Sequence, residues 1–571
     1  MSFNTVKYIG FFISVSLLLT GCANDENVTP IQENTKFAEH GMVVTAHPLA
    51  SKVGLEILQK GGNAFDAAAG VQFALSVVYP RAGNIGGGGF AVIRLADGTV
   101  KTLDFREKAA KGASRDMYLD MTGNVVLEMS KKGIFSVGIP GVVAGMETMH
   151  REYGKIPWDD VVAPSIKLAI MGFPLTKGEA GVLNRYREEF TELNTGENPF
   201  VKEVEWSEGD SIKYPEYGET LFRIGEKGAQ EFYYGRVARL ILRESKIRGG
   251  VITREDLENY KAIWREPVSA QIGEYTVYSM GPPSSGGIAL VQLLKGADQF
   301  NMAQYPHNSV NSIHLMTELE RRVFADRATY LGDPDFYDVP QEMLLSDAYL
   351  KDRFSNIDMN QKTPSSEIKA GAVEVIESHE TTHYSIVDKW GNAVSITTTL
   401  NGNFGSKVIV TGAGFFLNNE MDDFSVKPGV PNQFGLVGGE ANSIQPEKRM
   451  LSSMAPTVVE KDGELWMVVG TPGGSTIINT TYQTIQNCIW YGMTMQESVN
   501  STKSHSQWLP DNIHLEKGKI DSLVIDSLQQ MGHEVLFWNV LGKMNSVMVL
   551  DDGKLEGAPD YLRGEDSAEG Y

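Results

Sequence analysis

The sequence has 571 residues, of which 42% are hydrophobic and 22% are charged, and its formal net charge at pH 7 is −21. This composition is typical of a soluble globular protein with two to four domains, or with one large α/β unit. Because binding to nucleic-acid phosphates needs a basic face, the strong negative charge argues against a nucleic-acid partner.

The N-terminal segment indicates export. Lys7 is followed by the uncharged run YIGFFISVSLLLTGC, which is too short to span a bilayer comfortably. Its last four residues, Leu19 to Cys22, resemble the lipobox of bacterial lipoproteins, in which the cysteine becomes the lipidated first residue; an ordinary signal peptide is the alternative. We therefore predict a signal peptide over 1–21, a polar tether over about 22–36 and a lipid anchor on Cys22. The anchor would hold the protein to a membrane on its periplasmic or extracellular side.

The next part of the chain has mainly helical patterns. GMVVTAHPLAS predicts a short strand, and the following residues predict two helices, with a break at Lys60–Gly62 and Asn63 as the cap of the second. GGGGFAVIRLADGTVKTLDFREKA predicts a hairpin that turns at Ala96–Gly98. From Trp158 to about Leu331 we expect mostly helix, including an amphipathic helix in SVNSIHLMTELERRVFADRATYLG.

A polar segment divides the chain. Residues 361–380 have no sustained period and predict an exposed linker. From Thr381 onward strand patterns dominate, as in THYSIVD, AVSITTTL, TVVEKDGELWMVV and NSVMVLDDGKLEGAPD. The glycine-rich stretch GNIGGGGF leads into a strand and lacks the Lys-Ser/Thr of a phosphate loop, so we interpret it as a tight turn with close backbone packing.

Two threonines stand where the linker meets the first of these strands. A threonine hydroxyl needs a base beside it, and an N-terminal threonine can use its own α-amine. Cleavage between Glu380 and Thr381 would create such a residue. A hairpin closed around Trp390 and Gly391 would place Thr382 opposite Thr399, with Thr381 one step diagonally away. The dipeptide alone is better explained by the frequency of β-branched pairs in strands.

Other motifs are weak when they are considered singly. There is no HExxH, CxxC or dense His/Asp cluster, so we predict no metal site. An acidic loop can be a solvated turn, paired serines can be structural, and a glycine pair after a strand can orient N–H groups toward an oxyanion or merely form a turn. These motifs contain Glu420, Asp422 and Asp423; Ser452 and Ser453; and Gly473 and Gly474. Cys488, among apolar residues, fits a small core side chain.

Taken together, these stretches closely resemble the γ-glutamyltransferases, which belong to the N-terminal-nucleophile hydrolases. The motifs, in family order, are GGNAFDAA, GNIGGGGF, DFREKA, TTHYSIVDKWGNAVSITTTLN, NNEMDDFS, LSSMAPT and GTPGGS. The resemblance implies an α/β (α+β) fold, a four-layer αββα sandwich built from two chains cut from one precursor. It implies a large subunit over 22–380 and a small subunit over 381–571, associated as a heterodimer.

The chemistry that the resemblance implies begins with self-cleavage. Thr381 would attack the carbonyl of Glu380 in the precursor, and afterwards the γ-carbonyl of glutathione or another γ-glutamyl compound. Transfer of the γ-glutamyl group to water gives glutamate, and transfer to an amino acid or peptide gives a new γ-glutamyl compound. No cofactor is implied.

The resemblance also implies roles for single residues. Arg106 would pair with the substrate α-carboxylate, together with the hydroxyls of Ser452 and Ser453. The α-ammonium would be received by Asn401, Glu420 and Asp423. Gly473 and Gly474 would form the oxyanion hole, and Thr399 would assist Thr381. In KPGVPNQFGLVGGEAN, which resembles the family's lid loop, Phe434 replaces a frequent tyrosine and so lacks its hydrogen bond to the residue matching Asn401.

Two other functions fit parts of this pattern. A cephalosporin acylase-like amidase would share the fold and the nucleophile, but a side chain without an α-amino group would not need Asp423. A noncatalytic binding lipoprotein of the same fold would not need Thr381, Thr399, Gly473 and Gly474 together.

Overall fold

The structure is a computed structural model that describes residues 36–196, 198–368, 381–427 and 439–571. All of these residues lie in one compact unit. The predictions for Cys22, Glu380 and Phe434 fall outside the described residues. Within the described ranges, no helix is both long enough and apolar enough to cross a membrane.

The strands alternate with helices in the first part of the chain and predominate in the last. The described strands are β1 (Lys36–Ala38), β2 (Met42–Thr45), β3 (Gly88–Arg94), β4 (Val100–Asp104), β5 (Phe173–Pro174), β6 (Ser211–Ile212), β7 (Ile263–Arg265), β8 (Val268–Ile272), β9 (Tyr275–Ser279), β10 (Thr382–Val387), β11 (Ala393–Thr399), β12 (Thr457–Lys461), β13 (Glu464–Val469), β14 (Ser504–His505), β15 (Ile513–Glu516), β16 (Val535–Trp538), β17 (Asn545–Val549), β18 (Leu555–Pro559) and β19 (Ser567–Gly570).

The described helices are α1 (Pro48–Gln59), α2 (Ala64–Val78), α3 (Leu127–Lys131), α4 (Val142–Tyr153), α5 (Trp158–Met171), α6 (Lys177–Arg185), α7 (Arg187–Leu193), α8 (Pro215–Lys227), α9 (Ala229–Tyr233), α10 (Arg236–Ile247), α11 (Arg254–Glu258), α12 (Gly286–Gln299), α13 (Val310–Tyr330), α14 (Gln341–Leu345), α15 (Asp347–Phe354), α16 (Thr476–Tyr491), α17 (Met495–Asn500) and α18 (Ser522–Gln530). Single 3₁₀ turns lie at Ile134–Ser136, Met302–Gln304, Glu420–Asp423 and Glu440–Asn442.

Two antiparallel sheets of seven strands form the centre of the molecule. One has the order β1-β18-β17-β13-β12-β9-β8 and the other has the order β19-β2-β10-β11-β3-β4-β7. Each sheet therefore combines strands from before and after Thr381. Smaller sheets join β14, β15 and β16, and β5 with β6.

Three layers of apolar side chains hold these sheets and helices together. One core lies between the two sheets and contains side chains of β2, β3, β12, β13 and β17, among them Val44, Val92, Val458, Val468 and Val547. A second core packs α1, α2 and α5 on the outer side of the β10–β11 sheet, and a third packs α12, α13 and α16 on the outer side of the other. The architecture is therefore the predicted αββα sandwich.

Local predictions near the N-terminus are confirmed. Asn63 caps α2 in a capping box with Asp66, and Gly61 has the positive φ of 97° that ends α1. The hairpin of β3 and β4 turns where the sequence predicted it. Cys488 is buried in the core, and burial raises the pKa of its thiol to about 12.

Three predictions need correction. The region from Trp158 to Leu331 is mostly helical as predicted, but it also contains the short strands β5 to β9, which the helical pattern did not indicate. Helix α13 is buried on all sides from Ser312 to Arg327 rather than amphipathic, because its charged side chains pair inside the protein. The predicted linker is not wholly exposed, since Thr363 and Ile368 are buried.

The hairpin register is the fourth correction. Thr382 lies opposite Thr398, not Thr399. The reason is the turn: Asp388 accepts hydrogen bonds from the N–H groups of Trp390 and Asn392, and its own N–H donates to the carbonyl of Asn392. This turn shifts the pairing by one residue relative to the predicted one.

Candidate active site

The predicted nucleophile lies at the start of β10. Continuing the observed register by one residue places Thr381 directly opposite Thr399, so both side chains share one face. Thr381 is 8% exposed and lines a cavity of 390 Å³. The Thr399 hydroxyl accepts a hydrogen bond from the Asn401 N–H at 2.7 Å. The corrected register therefore brings the two threonines closer than the sequence predicted.

The glycine pair forms the turn between β13 and α16. Gly473 and Gly474 have φ angles of 135° and 59°, which L side chains rarely adopt. The Thr476 hydroxyl donates to the Gly473 carbonyl at 2.7 Å and fixes the turn. Gly473 lines the same cavity as Thr381, at the N-terminal end of a 16-residue helix. Backbone N–H groups in this position favour a developing negative charge.

A buried arginine gathers the acidic loop. Arg106 follows β4 and donates hydrogen bonds to the carboxylates of Glu420 and Asp423. It also donates to the carbonyl of Leu451 at 3.2 Å. Burial alone would lower the pKa of Arg106, but the surrounding carboxylates more than offset this and raise it. Arg106 is therefore a permanent positive charge in the site.

Three carboxyl groups surround this one guanidinium. Burial raises the pKa values of Glu420 and Asp423 against the opposing effect of Arg106. Glu107 lies 3.6 Å from Arg106, and burial raises the pKa of its carboxyl to about 7. When all three ionise, the cluster carries an excess of negative charge that a cationic group of a ligand can neutralise.

The predicted serines lie beside this cluster. The Ser453 hydroxyl accepts a hydrogen bond from Arg327 at 3.1 Å, and the Ser452 hydroxyl accepts one from the Met454 N–H at 3.1 Å. Ser452 directly follows Leu451, whose carbonyl binds Arg106. Ser452 therefore lies next to a residue that binds Arg106, whereas the hydroxyl of Ser453 contacts Arg327.

Asn401 connects the two halves of the site. Its backbone has a φ of 73°, and its side-chain amide donates to the carbonyl of Asn419 at 3.0 Å. Since Asn401 also donates its N–H to Thr399 and Asn419 precedes Glu420, hydrogen bonds lead from the threonine pair to the acidic loop. Strand pairing and hydrogen bonds thus connect Thr381 and Thr399 to the acidic loop that binds Arg106.

Sequence reasoning missed several members of this site. Glu107 adjoins Arg106 in the quoted motif and could have been found there. Arg327, on α13, binds Ser453 and Ser285, and Tyr260 donates its hydroxyl to the Arg106 carbonyl at 2.8 Å. The last two lie far from the other motifs in sequence, so no local pattern identifies them.

One cluster of described residues has side chains of the types that bind metal ions. His314, Glu318 and His533 are buried within reach of one another. However, both oxygens of Glu318 accept hydrogen bonds from Arg321 and Arg322, at 2.7 and 2.6 Å. A divalent cation here would face two arginines across a single carboxylate, so we interpret the group as a structural network.

Comparisons with known proteins agree with this geometry. The profile of a family described as Gamma-glutamyltranspeptidase matches residues 50–571. The chain is 45% identical to the glutathione hydrolase proenzyme of Escherichia coli over 544 residues, which are 94% of this chain and 92% of the relative. A structure of γ-glutamyltranspeptidase from Helicobacter pylori is 42% identical, with a TM-score of 0.57, and covers 61% of this chain and 99% of its own.

A cephalosporin acylase structure from Bacillus halodurans shares the fold, with a TM-score of 0.83 at 24% identity over 96% of this chain and 98% of its own. The fold is that of an N-terminal-nucleophile hydrolase. The chain belongs to the γ-glutamyltranspeptidase family.

Proposed function

We propose that this protein is a self-processing γ-glutamyltransferase that cleaves the γ-glutamyl bond of glutathione and related compounds. The observation that carries the proposal is the joining of two constellations, Thr381 with Thr399 and Gly473, and Arg106 with Glu420 and Asp423. The first suits nucleophilic attack on a carbonyl, and the second suits a free α-amino acid head group.

Maturation uses the nucleophile on its own chain. The Thr381 hydroxyl attacks the Glu380 carbonyl, the peptide bond to the Thr381 nitrogen is replaced by an ester, and water hydrolyses that ester. The new α-amine, with a pKa of about 8, then serves as the base for the Thr381 hydroxyl. The result is the large subunit over 22–380 and the small subunit over 381–571.

Turnover begins with an exchange of ion pairs at the donor clamp. This name refers to Arg106, Glu420, Asp423, Ser452 and Ser453. In the unliganded site the carboxylates of Glu420 and Asp423 bind Arg106. The α-carboxylate of the donor displaces the carboxylates of Glu420 and Asp423 from Arg106, and it also contacts Ser452 and Ser453. The displaced carboxylates then bind the α-ammonium of the donor. This exchange gives the displaced carboxylates a new cationic partner, and it orients the γ-carbonyl toward Thr381.

The covalent step follows from that position. Thr381 Oγ bonds to the γ-carbonyl carbon, its proton passes through the α-amine to the leaving nitrogen, and the Gly473 and Gly474 N–H groups stabilise the oxyanion. Water or an amine then attacks the γ-glutamyl ester and restores the Thr381 hydroxyl. A cephalosporin acylase-like activity is less well supported, because its substrate would leave the Asp423 side of the clamp unused.

The proposal is tested by looking for cleavage of the chain between Glu380 and Thr381. Purified protein should separate into two chains under denaturing conditions, and the smaller should begin Thr-Thr-His-Tyr. Thr381→Ala should stay one chain, whereas the matched variant Thr382→Ala should be cut, because Thr382 is a buried strand residue. Efficient cleavage of Thr381→Ala would disprove the mechanism.

We also propose that Cys22 carries a lipid that anchors the protein on the periplasmic or extracellular side of a membrane. Support comes from the lipobox-like Leu19 to Cys22 after an apolar run. Cys22→Ser should move the protein from the membrane fraction to the soluble fraction. Membrane association that persists in this variant would refute the anchor.

A further inference from the structure

Arg106 is held by its backbone as well as by its side chain. Its N–H donates to Oδ1 of Asp104 at 3.0 Å, and its carbonyl accepts a hydrogen bond from the hydroxyl of Tyr260 at 2.8 Å. Because both backbone groups are bound, the direction in which the guanidinium leaves the chain depends on where Asp104 and Tyr260 lie. Whatever fixes these two residues therefore also fixes the arginine of the donor clamp.

Arg449 contacts both of these residues. Its Nε lies 3.2 Å from Oδ1 of Asp104, the same oxygen that accepts the Arg106 N–H. Its guanidinium carbon lies 5.9 Å from the centre of the Tyr260 ring, and its Nη2 donates to the carbonyl of Lys261 at 2.9 Å. One side chain thus connects the two groups that hold the backbone of Arg106.

The backbone of Arg449 leads directly into the donor clamp. Its N–H donates to a carboxylate oxygen of Asp333 at 2.7 Å, and the residue forms an antiparallel bridge with Lys108. The next two residues present their carbonyls to the side chain of Arg106, at 3.4 and 3.2 Å, and the serine pair 452–453 follows them. The segment that starts at Arg449 thus supplies acceptors for Arg106 and then the serines.

These contacts join the two sides of the proposed cleavage site. The residues that hold Arg449 precede Thr381, whereas Arg449 itself follows it. The donor clamp is divided in the same way, because Arg106 belongs to the proposed large subunit and the other clamp residues belong to the small one. Arg449 is therefore placed where it can align the two halves of the clamp.

The ion pair of Arg449 is part of a buried network. Arg449 is 2% exposed, and Asp104 is fully buried and also accepts a hydrogen bond from Arg265 at 2.8 Å. Arg265 in turn makes a bidentate pair with Asp335. Because the desolvation of buried charges offsets most of their attraction, such a network contributes little net stability. The geometry that it imposes is the better explanation for it.

We propose that Arg449 is a positioning residue for donor recognition. Through Asp104 and Tyr260 it holds Arg106 in the place where the guanidinium binds the α-carboxylate of a γ-glutamyl donor. This inference rests on the proposed γ-glutamyl transfer. In this role Arg449 touches no part of the donor, so its replacement should impair recognition of the α-carboxylate and leave the reaction at the γ-carbonyl intact.

The test compares two donors that differ in one charge, γ-glutamyl-p-nitroanilide and its α-carboxamide analogue. The measured quantity is the ratio of kcat/KM for the acid to kcat/KM for the amide, which does not depend on the fraction of enzyme that is folded. Arg449→Gln should lower this ratio by about tenfold, as expected when one charge-assisted contact is misplaced. The loss should appear in KM for the acid rather than in kcat.

Two milder variants extend the test. The isosteric change Asp104→Asn weakens the same ion pair from its other side and should also lower the ratio. Arg449→Lys keeps the charge and should lower the ratio less than Arg449→Gln does. Both variants disturb the buried network less than Arg449→Gln, so they keep the inference testable if that variant folds poorly.

Two controls separate positioning from a purely structural role. Arg94 is another buried arginine that pairs with a carboxylate across the cleavage site, that of Glu460, but it lies at the opposite end of β3 from Gly88. Arg94→Gln should lower the free energy of unfolding and leave the ratio unchanged. In the Arg106→Ala enzyme, Arg449→Gln should have no further effect on the ratio, because both substitutions act on one contact.

The possible results separate this inference from the proposed function. If the Arg449 and Asp104 variants that turn over keep the wild-type ratio, or if Arg449→Gln lowers the ratio further in the Arg106→Ala enzyme, the positioning role is refuted while γ-glutamyl transfer stands. If the wild-type enzyme uses the acid and the amide equally, the donor clamp and this inference fail together. If it releases p-nitroaniline from neither donor, the proposed function itself fails.

Discussion

At the scale of single residues, the candidate site holds one guanidinium against three carboxyl groups. Arg106 faces the carboxyl groups of Glu107, Glu420 and Asp423, all buried or nearly so. A guanidinium can bind two carboxylates at once, but it cannot neutralise three. Burial raises the carboxyl pKa values, and repulsion from the neighbouring carboxylates adds to this effect at Glu107 and Glu420.

The first prediction concerns the geometry of Arg106. Arg106→Lys keeps the charge but loses the planar fork, so kcat/KM for γ-glutamyl-p-nitroanilide should fall by about 10–100-fold. Arg106→Ala should weaken capture of this donor at least as much. Steady-state kinetics measures both, with Arg115→Lys, an exposed residue paired with Glu440, as the control. Unchanged kcat/KM in both Arg106 variants would remove this residue from the site.

The second prediction concerns Glu107 and pH. Its carboxyl has a pKa near 7 in the folded protein against an ordinary value of 4.5, so the folded state holds the proton more tightly. This contribution to stability is complete below about pH 4.5 and is lost as the pH rises through about 7. Glu107→Gln should therefore reduce the decline of the free energy of unfolding between pH 5 and 7, by up to about 1.4 kcal/mol per pH unit.

Denaturant unfolding in the uncut Thr381→Ala chain measures that decline, since a single chain avoids subunit dissociation. A conservative control is Glu464→Gln at the exposed start of β13. If the free energy of unfolding falls equally steeply between pH 5 and 7 in the Glu107→Gln chain and in its parent, Glu107 does not titrate in this range.

At this scale, the sequence motifs gave the predictions for individual residues of the candidate site. Arg106, Thr381, Gly473 and the serine pair lie in long irregular motifs whose order along the chain is itself informative. Arg327 and Tyr260 could not be identified, because each reaches the site from an element with an ordinary helical or turn pattern. Their participation depends on tertiary packing, which local periodicity does not encode.

At the scale of elements, the glycine run and the hairpin determine where Thr399 lies. β11 pairs with β3, and Thr399 lies opposite Gly88. A Cβ atom on Gly87 would overlap the backbone oxygen of Thr399, and one on Gly86 would overlap that of Phe416. The glycines are therefore required for close backbone approach, as the sequence predicted.

The third prediction tests this approach. Gly87→Ala should displace Thr399, lower the free energy of unfolding by about 1–3 kcal/mol and slow cleavage before Thr381. Gly181→Ala is the matched control, since a Cβ there meets open space on exposed α6 and should be neutral or slightly stabilising. Denaturing electrophoresis over time measures cleavage. Normal cleavage in Gly87→Ala would show that Thr399 tolerates the shift.

The hairpin shows why element boundaries were easier to predict than register. The alternating patterns of β10 and β11 identify both strands, but the turn between them fixes which residues meet. Asp388 accepts two backbone N–H groups and so adds a residue to the loop, a detail that the sequence Asp-Lys-Trp-Gly-Asn does not specify uniquely. A shift of one residue was enough to exchange the partner of Thr399.

At the scale of the whole molecule, the two proposed subunits are interleaved. In one sheet, β10 and β11 lie between β2 and β3, and in the other, β12 pairs with β9. The buried pair of Arg94 and Glu460, with Nε and Oε1 2.7 Å apart, also joins residues from the two sides of the cut. Neither segment can complete a sheet or a core by itself.

The fourth prediction follows from this interleaving. After cleavage, the two chains should elute together in gel filtration at the mass of the precursor, even in high salt, because the core between the sheets is apolar. They should separate only at denaturant concentrations that unfold both. Dissociation of folded subunits under mild conditions would contradict the described strand order.

The same strand order sets the protein's lifetime. Before the cut, the strands that must pair are tethered, so their encounter has only the modest entropic cost of closing a loop. After the cut, reassembly requires two separate, individually incomplete chains to find each other while their strand edges invite aggregation. We therefore expect the proposed cleavage to convert a reversible folding equilibrium into a one-way event, so that the mature protein persists because it unfolds slowly and not because it can refold.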